Sequence, residues 1–116
     1  MNEHLFKTLR ELSKDNTLSQ RDLSQKMGLS LGRVNYIINA LAEKGYIKAE
    51  RFKNSRNKIA YMYILTPKGV KEKLLQTQAF LARKSEEFER LKQEIDVLRT
   101  EDELSRRRIN AVHDYE

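Results

Sequence analysis

The residues of this chain best suited to chemistry lie between Ser30 and Lys58. Val34, Ile37, Ile38 and Leu41 recur at helical spacing and form one apolar stripe, which leaves Leu31, Gly32, Arg33, Asn35, Tyr36 and Asn39 on the outward side of the same helix. Asparagine and arginine can hold a base edge through two hydrogen bonds at once, and tyrosine and arginine can reach a phosphate. Gly32 near the helix start would permit a close backbone approach. Ser30 is placed to cap the helix, whose first N–H groups favour an anion. Taken singly, each exposed Asn or Arg is as readily a solvated side chain. The set carries more weight than its members.

A second group follows. Residues 44–58 hold Lys44, Lys48, Arg51, Lys53, Arg56 and Lys58 against Glu50 alone. A surface that needs charge only for solubility would mix its signs, whereas a one-sided surplus suits the phosphate backbone of nucleic acid. Lys53, Arg56 and Lys58 are the candidates for that contact, with Arg56 suited to a narrow minor groove, where negative potential is concentrated. The rest of the chain agrees. Residues 1–73 carry 15 Lys+Arg against 7 Asp+Glu, and residues 74–116 carry 8 against 10, so the positive charge belongs to the N-terminal part of a chain of net charge +6.

Other chemistries find little support. There is no cysteine, which removes disulfides, thiolate metal sites and cysteine nucleophiles. His4 and His113 sit near opposite ends and read as surface residues, whereas a metal site would need three or four convergent ligands. No glycine-rich phosphate loop and no serine, histidine and acid at suggestive spacing are present. The reading is therefore of a protein that is not an enzyme and needs no cofactor or metal. No run approaches the ~20 apolar residues of a membrane span, and MNEHLFKTLR lacks the apolar core of a signal peptide, so a cytoplasmic, nucleoid-associated protein is expected.

The elements that must position these residues follow from period and punctuation. Leu5, Leu9 and Leu12, with Phe6 beside them, predict a helix over 3–15, with Asn16 as its stop. Ser19 and Asp22 fit a capping box that opens a second helix, with Leu23 and Met27 inward and Gly28 as its left-handed stop. Ser30 caps a third helix from Leu31 to about Lys44, closed by Gly45, so that the pair forms a helix-turn-helix. From Ile47 the period becomes extended. Ile47–Phe52 and Ile59–Leu65 predict a hairpin with the basic loop at its tip. Thr66-Pro67 then restarts a helix with proline at its first position.

Here the chain resembles a known family. SQRDLSQKMGLSLGRVNYIINALAEKGYIKAERFKNSRNKIAYMYILTPKG is similar to the MarR (multiple antibiotic resistance regulator) winged-helix pattern over roughly residues 5–75. The matching pieces are the Val34 to Leu41 spacing, Lys44-Gly45-Tyr46-Ile47 and Leu65-Thr66-Pro67-Lys68-Gly69. The resemblance implies that the third helix is the recognition helix and that Arg56, in Asn54-Ser55-Arg56, is the wing arginine that enters a minor groove. It departs from the family at Asn54, which replaces the usual aspartate and puts a carboxylate clamp on Arg56 in question. It also departs at the start of the chain, which begins almost directly at the first helix of the DNA-binding lobe, with no counterpart of the N-terminal dimer-lobe helix. Whether the family's effector pocket exists here is left open. The short chain with its coiled-coil tail is most similar to a MarR subgroup associated with exopolysaccharide gene clusters.

The last helix has its own pattern. Leu74, Leu81, Phe88 and Ile95 recur every seven residues as a positions, and Leu91 and Leu98 fill d, while the seam is weak at Thr77 and Lys84 and stops at Asp102 and Ser105. Glu87 and Glu94 then take g and Lys92 and Arg99 take e, so a parallel pair joins Glu87 to the partner's Lys92 and Glu94 to the partner's Arg99. The alternative is a helix that folds back on its own winged helix. The expected class is mainly α with a small β-hairpin: a winged helix-turn-helix over 1–66, a dimerisation helix over 67–103 and a frayed tail over 104–116. The expected partners are double-stranded DNA and a second copy of the chain. The competing class is a winged helix that holds protein and uses the coiled coil as a scaffold. Such a module would not need six basic residues around its hairpin.

Overall fold

The computed structural model describes residues 1–53 and 56–114. Its elements in chain order are α1 (Glu3–Lys14), α2 (Gln20–Met27), α3 (Leu31–Glu43), β1 (Ile47–Lys53), β2 (Ile59–Leu65) and α4 (Pro67–Asp114). The chain divides into two units, Met1–Gln78 and Ala79–Glu116.

In the first unit the apolar stripes meet in one core. Leu9, Leu23 and Leu41, one from each of the first three helices, are fully buried, and Leu5, Leu12, Val34, Ile37 and Ile38 join them. Burying such a side chain stabilises a fold by roughly 1.5–3 kcal/mol, so three helices too short to persist alone hold one another. Leu18, between α1 and α2, turns inward and is also buried.

The helix ends are built as their residues demand. The Asn2 side chain accepts from the Leu5 N–H at 2.9 Å. Ser19 and Asp22 form the full capping box: Ser19 Oγ accepts from the Asp22 N–H at 3.0 Å, and the Asp22 carboxylate accepts from the Ser19 N–H at 2.9 Å. These bonds hold the Asp22 carboxyl below the usual carboxylate range. α1 closes at Asp15, one residue before the expected Asn16, and α3 closes at Lys44 as its C-cap. Gly28, at φ 65°, is the left-handed cap of α2.

β1 and β2 pair antiparallel from Ile47 opposite Leu65 to Lys53 opposite Ile59, so β1 extends one residue beyond the expected Phe52. Tyr63 of β2 and Ile47 of β1 are buried in the core. At the end of the hairpin the chain turns into α4 through a close junction. The Thr66 N–H donates to the Tyr46 carbonyl at 3.0 Å, and Thr66 Oγ1 accepts from the Gly69 N–H at 3.1 Å as the N-cap. A Cβ on Gly69 would lie 1.9 Å from the Tyr46 carbonyl oxygen, so only glycine fits there. Lys68 closes the same corner, with Nζ donating to the Lys44 carbonyl at 2.9 Å.

The described residues of the second unit belong to α4, and every side chain from Leu81 to His113 is exposed in the single chain. The expected frayed tail is corrected: α4 continues past 103 to Asp114. After Gly69 nothing in this stretch breaks a helix. Arg106 also pairs with Asp102 at 3.1 Å and Arg107 with Glu103 at 2.7 Å, both at helical i,i+4 spacing. In this longer helix Ile109 and Val112 fall back on the seven-residue register of Ile95 and Leu98, beyond the polar step at Asp102 and Ser105.

Candidate nucleic-acid interface

The packing of α3 decides which of its side chains are available. Its inner stripe is sealed against α1 and α2, and Ser30, Leu31, Gly32, Arg33, Asn35, Tyr36 and Asn39 are all exposed, as their spacing predicts. Ser30 Oγ caps the helix by accepting from the Arg33 N–H at 3.1 Å. That bond uses the hydroxyl for the helix itself. Among the large hydrophobic side chains of this face Tyr36 is 68% exposed, and Leu31 stands at 47% in the first turn. An apolar side chain exposed this far suits a partner surface that offers an apolar patch, such as a thymine methyl.

Asn35 and Asn39 are exposed but not isolated. Asn39 Nδ2 donates to Asn35 Oδ1 at 3.2 Å, and Asn35 Nδ2 donates to Gln20 Oε1 at 3.3 Å. Gln20, half-buried at the first position of α2, donates through Nε2 to the Tyr63 hydroxyl at 3.1 Å. The exposed face of α3 is therefore tied to α2 and to the hairpin. Sequence reasoning missed Gln20 and Tyr63, because neither has a periodic or charge signal linking it to α3.

The hairpin carries the basic group. Lys53, the last residue of β1, and Arg56 and Lys58 in the following loop are all exposed. Asn57 sits at φ 60°, a left-handed conformation that asparagine accepts more readily than most residues. The aspartate replaced by Asn54, and the clamp on Arg56 that it would supply, lie outside the described residues. Lys48 pairs with Glu50 at 3.0 Å, so the single acidic residue of the segment answers a lysine in mid-strand. Tyr61 of β2, also missed from sequence, is 50% exposed and borders a crevice of about 260 Å³ whose other walls include Gln20 and Asn39. The α3 face, the α2 start and β2 thus adjoin one another.

The a and d residues of α4 are open. Leu74, Leu81, Phe88, Leu91, Ile95 and Leu98 are 57%, 64%, 63%, 55%, 41% and 61% exposed, an apolar row that a single chain leaves in water. No helix among the described residues is long and apolar enough to cross a membrane. No group of three or more His, Asp or Glu side chains that could hold a metal occurs among them either.

Residues 1–48 match the family model described as winged helix-turn-helix DNA-binding. No curated protein matches the chain. Among solved structures, a MarR/EmrR family transcriptional regulator from Acinetobacter sp. ADP1 superposes with a TM-score of 0.63 at 22% identity, covering 74% of this chain and 59% of that one. FabT of Streptococcus pneumoniae, solved in complex with DNA, gives 0.57 at 23% identity, covering 74% and 59%. A MarR transcriptional regulator from Methanosarcina mazei Go1 gives 0.54 at 25% identity, covering 72% and 58%. The chain thus spans under two thirds of the length of these three proteins.

Proposed function

The chain is a winged helix-turn-helix protein with the fold of MarR-family regulators, and from that premise we propose that it is a sequence-specific DNA-binding transcription regulator that binds an inverted-repeat operator as a homodimer. The observation that carries this reading is the pairing of an exposed, polar α3 face with a basic, exposed hairpin loop in one compact unit. In the proposed complex α3 enters the major groove, where each base pair presents a distinct pattern of donors and acceptors. Lys53, Arg56 and Lys58 lie along the phosphates, with Arg56 in the minor groove. The apolar row of α4 pairs with that of a second copy. The DNA bound to the pneumococcal relative supports the partner class. Control of exopolysaccharide genes is the narrower proposal, supported by the sequence resemblance.

Titration of a labelled duplex at two salt concentrations tests the reading. Binding should weaken steeply with salt, because each phosphate contact releases condensed counterions. Selection from random duplexes should return an inverted repeat, and that repeat should lie upstream of polysaccharide genes if the narrower proposal holds. Absence of duplex binding at low salt would instead favour the protein-docking class.

A further inference from the structure

We propose that Gln20 is a positioning residue for base recognition: through Asn35 it orients the carboxamide of Asn39, and Asn39 reads adenine. The proposal rests on the DNA-binding reading above. A solvent-exposed asparagine samples both orientations of its carboxamide, since rotation about its last torsion is broad, and ordering it on binding costs free energy. Here three hydrogen bonds run in one direction: Asn39 Nδ2 to Asn35 Oδ1, Asn35 Nδ2 to Gln20 Oε1, and Gln20 Nε2 to the Tyr63 hydroxyl. The far end is anchored, because Tyr63 is 8% exposed on β2 and Gln20 follows directly on the Ser19–Asp22 capping box.

The links are unequal. Asn35 is engaged at both ends of its carboxamide, whereas Asn39 enters this series only as a donor. Asn39 therefore keeps Oδ1 and a second N–H for a partner. An N–H beside a carbonyl oxygen complements the N7 acceptor and N6 donor of adenine, and mismatches guanine, which offers two acceptors. Asn35 is thus the link and Asn39 the reader.

The test selects duplexes from a pool randomised over about two helical turns, using the full chain and its variants. The unmodified protein should enrich adenine at one position of each half-site. Gln20→Met keeps the length and apolar stem but removes the amide, and should cut that preference roughly tenfold. Affinity for random duplexes, salt dependence and melting temperature should hold. Asn39→Ala should erase the preference at the same position, and the double variant should lose no more than Asn39→Ala alone, as expected for residues acting in series. Gln20→Glu should retain much of the preference, because its carboxylate still accepts from Asn35 and the Tyr63 hydroxyl can donate to it. An unchanged base preference in Gln20→Met, or an equal loss of affinity for all duplexes, overturns the positioning role. Failure of the unmodified protein to enrich any sequence overturns the DNA-binding reading itself, and the two failures appear in different samples.

Discussion

A cation beside a phosphate contributes the same free energy whatever the base sequence, whereas an amide that holds a base edge contributes to one sequence only. That contrast separates the two groups of residues. Arg56→Ala should weaken cognate and random duplexes alike and lower the slope of log affinity against log salt by about one charge; if affinity and slope both stay unchanged, Arg56 is not a phosphate contact. Asn39→Ala should lower the cognate-to-random ratio by about 1–3 kcal/mol, and its melting temperature should barely move because the side chain is exposed. A large fall in thermal stability would show that this face packs rather than reads. The outward residues of α3 were legible in the sequence, since helical period alone separates them from Val34, Ile37, Ile38 and Leu41. Gln20 and Tyr63 were not: they lie 43 residues apart, and only tertiary packing brings the amide to the hydroxyl.

At the scale of elements, the local signals were mostly sufficient where a chemical group caps or stops a helix. Ser19 and Asp22 predicted their own hydrogen bonds, and Gly28 its left-handed turn. Because folding lowers the Asp22 pKa from 3.8, its carboxylate contributes stability above that value, and the contribution is lost as pH falls through the lower folded value. Asp22→Asn should therefore melt lower than the unmodified protein at neutral pH, and the two melting curves should converge on acidification below about pH 4. A gap that persists unchanged at low pH would assign the effect to another group. The Tyr46–Gly69 approach was not legible, although both residues belong to a matching motif, because the sequence does not reveal which glycine needs its missing Cβ. Gly69→Ala must push backbone apart at that corner, at a cost on the order of 3 kcal/mol. The melting temperature should fall by roughly 10 °C or more, and a melt like that of the unmodified protein would contradict the junction. The end of α4 was illegible for a different reason: Arg106-Arg107-Arg108 to Glu116 gives no clear structural signal in sequence, yet intrahelical bonds and ion pairs carry the helix across the polar step at Asp102 and Ser105 to Asp114.

The whole molecule turns on what covers α4. Isolated helical stripes need a partner surface to be stable, and the side chains from Leu81 to His113 are exposed in the single chain. A second copy supplies an identical stripe, and the g and e charges favour a parallel pair, since an antiparallel one would set Glu87 and Glu94 against like charges. Such surface pairs contribute only about 0–1 kcal/mol each, so in the proposed dimer they would choose the orientation while Leu81, Phe88, Leu91, Ile95 and Leu98 would supply the association. Phe88→Glu places two like charges in the seam and should yield monomers in sedimentation. The unit Met1–Gln78 does not contain position 88, so the helical signal and winged-helix fold should survive. Operator affinity should nevertheless fall sharply, because two half-sites about one helical turn apart are no longer held by a single two-fold particle. Orientation is read separately with Leu91→Cys, which should form an interchain disulfide under mild oxidation only if the pair is parallel and in register. A Phe88→Glu protein that remains dimeric would move the interface elsewhere, with α1 the first element to examine; a monomer that still binds the full operator as tightly would remove the two-fold argument for an inverted repeat.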